Sequence, residues 1–160
     1  MLDRKKIFGE LVKEWEAKAF NGHYIPNFRY CLDNSFVWFT YDAQRAFRIY
    51  RDDFPFDVEK LAGNIDEMPR LQELFSCTDK VEAKIVGYKD NNSKNAKEVA
   101  EIRSEFANET VYINKKFLSV LNGNYTMYIS KERASIRPVV IEFEYGNEMA
   151  VFMPIRIVAY

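Results

Sequence analysis

Val111-Tyr112-Ile113-Asn114-Lys115-Lys116-Phe117-Leu118-Ser119-Val120-Leu121-Asn122-Gly123 is the stretch from which the fold can be read. Val111-Tyr112-Ile113 is a short apolar strand. Asn114 stands where a helix N-cap belongs, because its side chain can accept from the first unpaired amides. Phe117, Leu118, Val120 and Leu121 recur at helical spacing, and Asn122-Gly123 stops the helix. Working toward the C-terminus, Tyr125–Ser130, Val139–Tyr145 and Met149–Val158 read as strands, with Gly146-Asn147 as a hairpin turn. The last of these closes on Val151-Phe152-Met153-Pro154-Ile155-Arg156-Ile157. The core side is assigned to Val151, Met153, Ile155 and Ile157, and Pro154 marks an edge.

The same order occurs at the start. Residues 4–20 form a helical run ending in Asn21-Gly22, followed by strand-like runs near His23–Tyr30, Ser35–Tyr41 and Ala46–Arg51. Helix, Asn-Gly and three strands thus appear twice, which predicts a structural repeat. In the first helix Ile7, Phe8, Leu11, Val12 and Trp15 line one face at spacings of three and four. Ser35–Tyr41 is apolar on both faces, as in a strand covered on both sides. Between the repeats, residues 57–80 link the halves, with helical turns near Val58–Leu61 and from Pro69 to Phe75. Val81–Lys89 reads as a strand. The polar run Asp90–Lys97 reads as a mobile loop, and Ile102–Phe106 as a further strand.

The chain has 160 residues, enough for one ordinary domain with a substantial core. Thirteen Phe and ten Tyr favour strands. With 23 basic and 24 acidic residues the formal charge is −1, so no overall field draws the chain to nucleic acid or anionic lipid. Cys31 and Cys77 are far apart and read as reduced thiols of a cytoplasmic protein. Met1-Leu2-Asp3-Arg4-Lys5-Lys6 leads into an amphipathic run rather than a signal peptide. No run approaches the apolar length that spans a bilayer, so no membrane association is expected.

Motifs for catalysis are missing from the sequence. His23 is the one histidine and reads as a surface or cap residue, without the partners a metal or nucleophile needs. No phosphate cradle, nucleophile elbow or zinc motif occurs. Asp52-Asp53 and Glu142/Glu144 are the best carboxylate pairs for a two-metal site. Glu142 and Glu144 alternate with Ile141 and Phe143, as on the wet face of a strand. No cofactor, no metal and no enzyme activity is expected.

Four segments carry a resemblance to a known family. Val111–Leu121 resembles the strand-then-helix opening of the last half-domain of bacterial sliding clamps, the β subunit of DNA polymerase III. Arg137-Pro138-Val139-Val140-Ile141 and Val151–Ile157 are similar to that family's final two strands, which end on Met-Pro-x-Arg-apolar. Tyr41-Asp42-Ala43-Gln44-Arg45-Ala46 is similar to the family's Thr-Asp-Gly-x-Arg-Leu segment, with Ala43 in place of glycine. Arg51-Asp52-Asp53-Phe54-Pro55 offers a competing register. The resemblance implies an α+β, DNA-clamp-like fold, a single domain over 1–160. Two βαβββ-type halves (1–56 and 81–160) would put their helices on one face of antiparallel sheets.

A family protomer has three such domains, and two protomers ring DNA; this chain has residues for one, with insertions around 52–80 and 90–98. The resemblance further implies a pocket for peptides of DNA polymerase or other replication proteins. Its places fall on Asp42, Arg45, Val151, Phe152, Met153, Pro154, Ile155, Arg156 and Ile157. In the family these come from neighbouring domains, so here they are expected at opposite ends, with head-to-tail self-association needed to complete a pocket. Lys5, Lys6, Lys13, Lys115 and Lys116 would give weak, sequence-independent DNA contacts. Three functions follow: a clamp-related processivity module, a regulatory protein with a borrowed clamp fold that binds a host clamp or other partner, and, as an outsider, a metal-dependent nucleic-acid enzyme.

Overall fold

The computed structural model describes residues 1–19, 22, 24–31, 33–63, 65, 66, 79–146 and 148–157. His23, Cys77, Asn21, Asn147 and the helix expected at Pro69–Phe75 lie outside the described residues.

Helix α1 spans Arg4–Ala19 and starts where Asp3 accepts from the Lys6 amide through Oδ1 at 3.1 Å. Its buried contacts are narrower than the apolar spacing suggests. Ile7 and Leu11 are buried and Phe8 is partly buried, but Val12 and Trp15 are 43% and 40% exposed. Phe8 packs on Phe54 and Phe56 at the margin of the same core, at ring distances of 5.3 and 6.0 Å.

Strands β1 (Asn27–Cys31), β2 (Ser35–Phe39) and β3 (Arg45–Tyr50) form an antiparallel meander after α1. A short helix α2, Val58–Ala62, follows, capped by Asp57, which accepts from the amides of Glu59 and Lys60. Then come β4 (Lys80–Ser93), β5 (Ala96–Arg103) and β6 (Val111–Asn114). Last are a 3-10 helix at Lys115–Val120 and the meander β7 (Tyr125–Ser130), β8 (Val139–Phe143) and β9 (Met149–Phe152). Among the described residues, nine strands join in one antiparallel sheet of order β1-β2-β3-β9-β8-β7-β4-β5-β6. The architecture is α+β.

Register explains the core. Phe28, Trp38, Phe47, Ala150, Ile141, Met127 and Ala83 are successive cross-strand partners from β1 to β4. Because side chains alternate along a strand, this row faces one side of the sheet. Ile7 and Leu11 of α1 and Phe117 and Val120 of the 3-10 helix belong to the same core cluster. The neighbouring row, Phe39, Ala46, Val151, Val140 and Tyr128, faces the other way and forms a smaller cluster with Val37 and Met149. Ser35 to Trp38 are all buried, in keeping with the two-faced apolar reading of β2.

Four expectations change. The second helix is a six-residue 3-10 helix rather than an α-helix, although Asn114 caps it by accepting from the Lys116 amide at 3.1 Å. Asp90–Lys97 is no open loop: β4 runs to Ser93 and turns directly into β5, with register shifts at Ile85/Gly87 and Asp90/Ser93. The polar residues suit a two-stranded ribbon with exposed edges. Strand β5 accordingly ends at Arg103, before the end expected at Phe106. The last strand ends at Phe152, not Val158; within it Phe152 enters the main core and Val151 the opposite cluster. Pro154, with no amide hydrogen to donate, ends the ladder.

The β2–β3 turn holds Ala43 at φ 55°, a left-handed conformation that disfavours a Cβ. Ala43→Gly should raise the unfolding free energy by about 0.5–1 kcal/mol, read from the urea midpoint; no gain would mean that the turn relaxes without strain.

Candidate functional site

The turn Thr40–Arg45 is built by its own side chains. The Thr40 hydroxyl donates to Asp42 Oδ1 at 2.6 Å, and the same oxygen accepts from the Gln44 amide at 3.1 Å. The Arg45 amide donates to Thr40 Oγ1 at 3.2 Å, and the Ala43 amide to the Thr40 carbonyl at 2.9 Å. Asp42 is thus spent partly on holding the turn.

This turn meets the C-terminal segment within one chain. Arg45 is the cross-strand partner of Phe152, and the Met153 amide donates to the Gln44 carbonyl at 2.8 Å. Beyond it the Ile155 amide donates to the Tyr112 carbonyl of β6 at 2.7 Å. The expectation that the two segments lie at opposite ends is therefore overturned: pairing of β3 with β9 places them side by side. Between them opens a cleft of about 460 Å³. Asp42 and Gln44 form one wall and Pro154 and Ile155 another. Ser93, Asn95 and Ala96 from the β4–β5 hairpin face them, with Asn114 and Phe117 completing the lining.

A second hollow of about 450 Å³ shares Asn114 and Phe117 with the first and is otherwise lined by Glu10, Arg45, Lys116 and Ser119. The Arg45 guanidinium lies 4.7 Å from the centre of the Phe117 ring and 5.7 Å from that of Phe47, a favourable cation–π arrangement. Phe117 in turn packs on Phe152 at 5.5 Å. Asn114 uses both ends of its amide: Oδ1 caps the 3-10 helix, and Nδ2 donates to the Asn95 carbonyl at 3.0 Å. One buried side chain thereby fixes the hairpin tip relative to the helix.

Of the residues assigned by resemblance, Asp42, Pro154 and Ile155 line the first hollow and Arg45 the second. Phe152 is buried beneath Phe117, Val151 is buried on the opposite face of the sheet, and Met153, Arg156 and Ile157 are not among the lining residues. Gln44, Ser93, Asn95, Ala96, Asn114, Phe117 and Glu10 were not identified from sequence as site residues. The capping role of Asn114 was legible; its bond across to Asn95 was not.

The five lysines do not form one surface. Lys5 and Lys13 are exposed on α1. Lys6 donates to the Ser119 carbonyl at 3.0 Å, and Lys116 borders the same Ser119. Lys115 departs from the expected face: its ammonium pairs with Glu98 at 2.7 Å and sits 4.7 Å over the Tyr88 ring. Meanwhile the acidic residues of α1 are partly consumed internally. Glu10 pairs with Arg45 at 2.7 Å, and Glu14 accepts from the Tyr41 amide and from the Tyr24 hydroxyl. Burial, then the Glu14 carboxylate, pushes the Tyr24 phenol well above its ordinary range. Burial first, and Asp33 second, also raises the Cys31 thiol.

The carboxylate pairs considered for metal are engaged or apart. Asp53 pairs with Arg4 at 3.0 Å and Glu142 with Lys80 at 2.5 Å. Among the described residues no group of three or more His, Cys, Asp or Glu could hold a metal ion, and no helix is long and apolar enough to cross a membrane.

The fold and the site define an α+β chain with a two-part cleft at the junction of its two meanders. No family model, curated protein or solved structure matches this chain. The sliding-clamp resemblance accordingly rests on the four sequence segments alone.

Proposed function

We propose that this protein is a non-enzymatic interaction module that holds a short extended peptide in the cleft between Asp42–Gln44 and Pro154–Ile155, in a role related to that of sliding clamps in DNA replication. The observation that carries this reading is the meeting of the two clamp-like segments in one chain, through Arg45 opposite Phe152 and Met153 bonded to Gln44. Ala43 adds support, since its left-handed φ falls where the family's segment has glycine. Phe117, Pro154 and Ile155 offer apolar contact, and Gln44, Asn95 and the turn of Asp42 offer polar partners, the mixture that peptide sites use.

Because the cleft closes within one chain, head-to-tail association is unnecessary for binding. That favours a monomeric module acting through partners, including the regulatory reading in which it docks on a host clamp. Light scattering over a concentration series separates the two: a stable monomer supports the module, whereas a discrete six-copy ring supports an encircling clamp. Direct binding is tested by fluorescence anisotropy with labelled peptides taken from replicative polymerases. Ile155→Asp, which puts a charge against Phe117 and Pro154, should weaken binding at least about tenfold while leaving the exposed-helix control Lys13→Ala unchanged. Equal affinity for both variants would sink the assignment of this cleft. DNA binding through Lys5, Lys6 and Lys13 remains a secondary reading, and should be weak and lost on raising salt.

A further inference from the structure

We infer that the Arg45 end of the cleft is a carboxylate subsite, occupied in the unliganded chain by Glu10. The inference rests on the peptide reading above and adds the chemistry of the ligand: a peptide bearing an acidic side chain or a free C-terminus.

Arginine recognises carboxylate best when two parallel N–H groups meet two oxygens. Here the Glu10 carboxylate meets Nη1, at 2.7 Å. The contact is close but poorly aligned, since Glu10 Oε2 makes no hydrogen bond within acceptable geometry. Arg45 Nε is buried and finds no acceptor among the described residues. A buried donor without a partner is uncommon and costly. The side-on fork formed by Nε and Nη2 is thus not used by the internal carboxylate. The ring of Phe117, 4.7 Å from the guanidinium, and the strand pairing of Arg45 hold the group in place. Lys116 and Ser119, both exposed, line the same hollow. Charge therefore separates along the cleft, with Arg45 and Lys116 at one end and Asp42 at the other.

An incoming carboxylate would take the Nε–Nη2 edge and draw on Lys116, while Glu10 swings out along α1. Glu10 thus acts as an internal competitor that keeps Arg45 from standing unpaired in the empty site. No bond is made or broken beyond hydrogen bonds and ion pairs.

Acetate is a direct probe. In nitrogen–proton spectra of the whole chain, the Arg45 Nε–H signal should move saturably on acetate titration. Glu10→Gln, which removes the competing charge, should tighten the response about tenfold, and Arg45→Lys should remove the signal and the response. No movement of Arg45 Nε–H in either wild type or Glu10→Gln overturns the proposal. A synthetic peptide array then reads the ligand. Peptides in which the acidic side chain is exchanged for its amide, or the C-terminus amidated, should bind about tenfold more weakly, and the arm that responds identifies the carboxylate's source. Peptide binding indifferent to both exchanges overturns the carboxylate subsite and leaves the peptide site standing. An acetate response with no peptide bound overturns the peptide site instead and leaves the subsite standing.

Discussion

Phe152→Ala lowers the unfolding free energy by about 3–5 kcal/mol, the range for deleting a fully buried phenylalanine. Phe152 is 0% exposed, and its ring meets Phe47 at 6.3 Å and Phe117 at 5.5 Å. It lies between two strands, opposite Arg45 of β3 and Val139 of β8. Truncation removes the transfer free energy of the ring and leaves a cavity that the paired strands cannot collapse to fill. The site suffers as well, because Phe117, the shared floor of both hollows, rests on this ring. Urea unfolding gives the stability term, and peptide anisotropy on the folded variant gives the site term. Phe152→Leu, which keeps much of the volume, should cost about 1–2 kcal/mol. A loss below about 1 kcal/mol for the alanine variant would mean that the ring is not packed as described.

Glu148→Ala is the second large effect, about 3 kcal/mol. Glu148 is 5% exposed, yet it is ionisable and lies just beyond a hairpin turn. Its Oε1 accepts from Arg4 Nε at 2.6 Å, and its Oε2 accepts from the Leu2 amide at 3.0 Å. Arg4 also reaches Asp53 at 3.0 Å, so one buried carboxylate ties the start of α1 to β9 and to the end of the first meander. Alanine would leave a half-buried guanidinium short of a partner and the Leu2 amide without an acceptor, which costs more than the net worth of the pair. Glu148→Gln keeps an acceptor for Leu2 and loses only the charge, so it should cost about 1–2 kcal/mol. Amide exchange localises the effect: the alanine variant should expose Leu2 and Asp3 first, where the Asp3 amide bonds Val120 and Leu2 bridges Leu121. Uniform loss of protection across the sheet, with no early release of this arm, would contradict the tie.

The two predictions differ in how far the sequence reveals them. That Phe152 is apolar and strand-borne is plain from residue type, but which face it takes was misread. Alternation from Val151 through Ile157 assumed a strand that continues past Pro154, whereas the ladder stops at Phe152. Glu148 gave no signal in the sequence, and only the fold brings Arg4 and Leu2 to it. The ribbon at Asp90–Lys97 shows the same limit. Its polar composition fits the exposed positions but neither the burial of Asn91 and Ala96 nor the pairing, because a hairpin whose edges face water needs few apolar residues.

What the sequence by itself determined was local: the α1 run, the Asn114 cap and the β2 strand apolar on both faces. Each depends on neighbouring residues and short-range sterics, so each is written in a few consecutive letters. Only the tertiary structure decided that β3 pairs with β9, that the Thr40–Arg45 turn therefore meets Met153–Ile155, and that Glu10 is set against Arg45. Such contacts join residues up to more than a hundred positions apart. Their partners are chosen by which faces must be buried together, a condition on the whole sheet that no single segment carries.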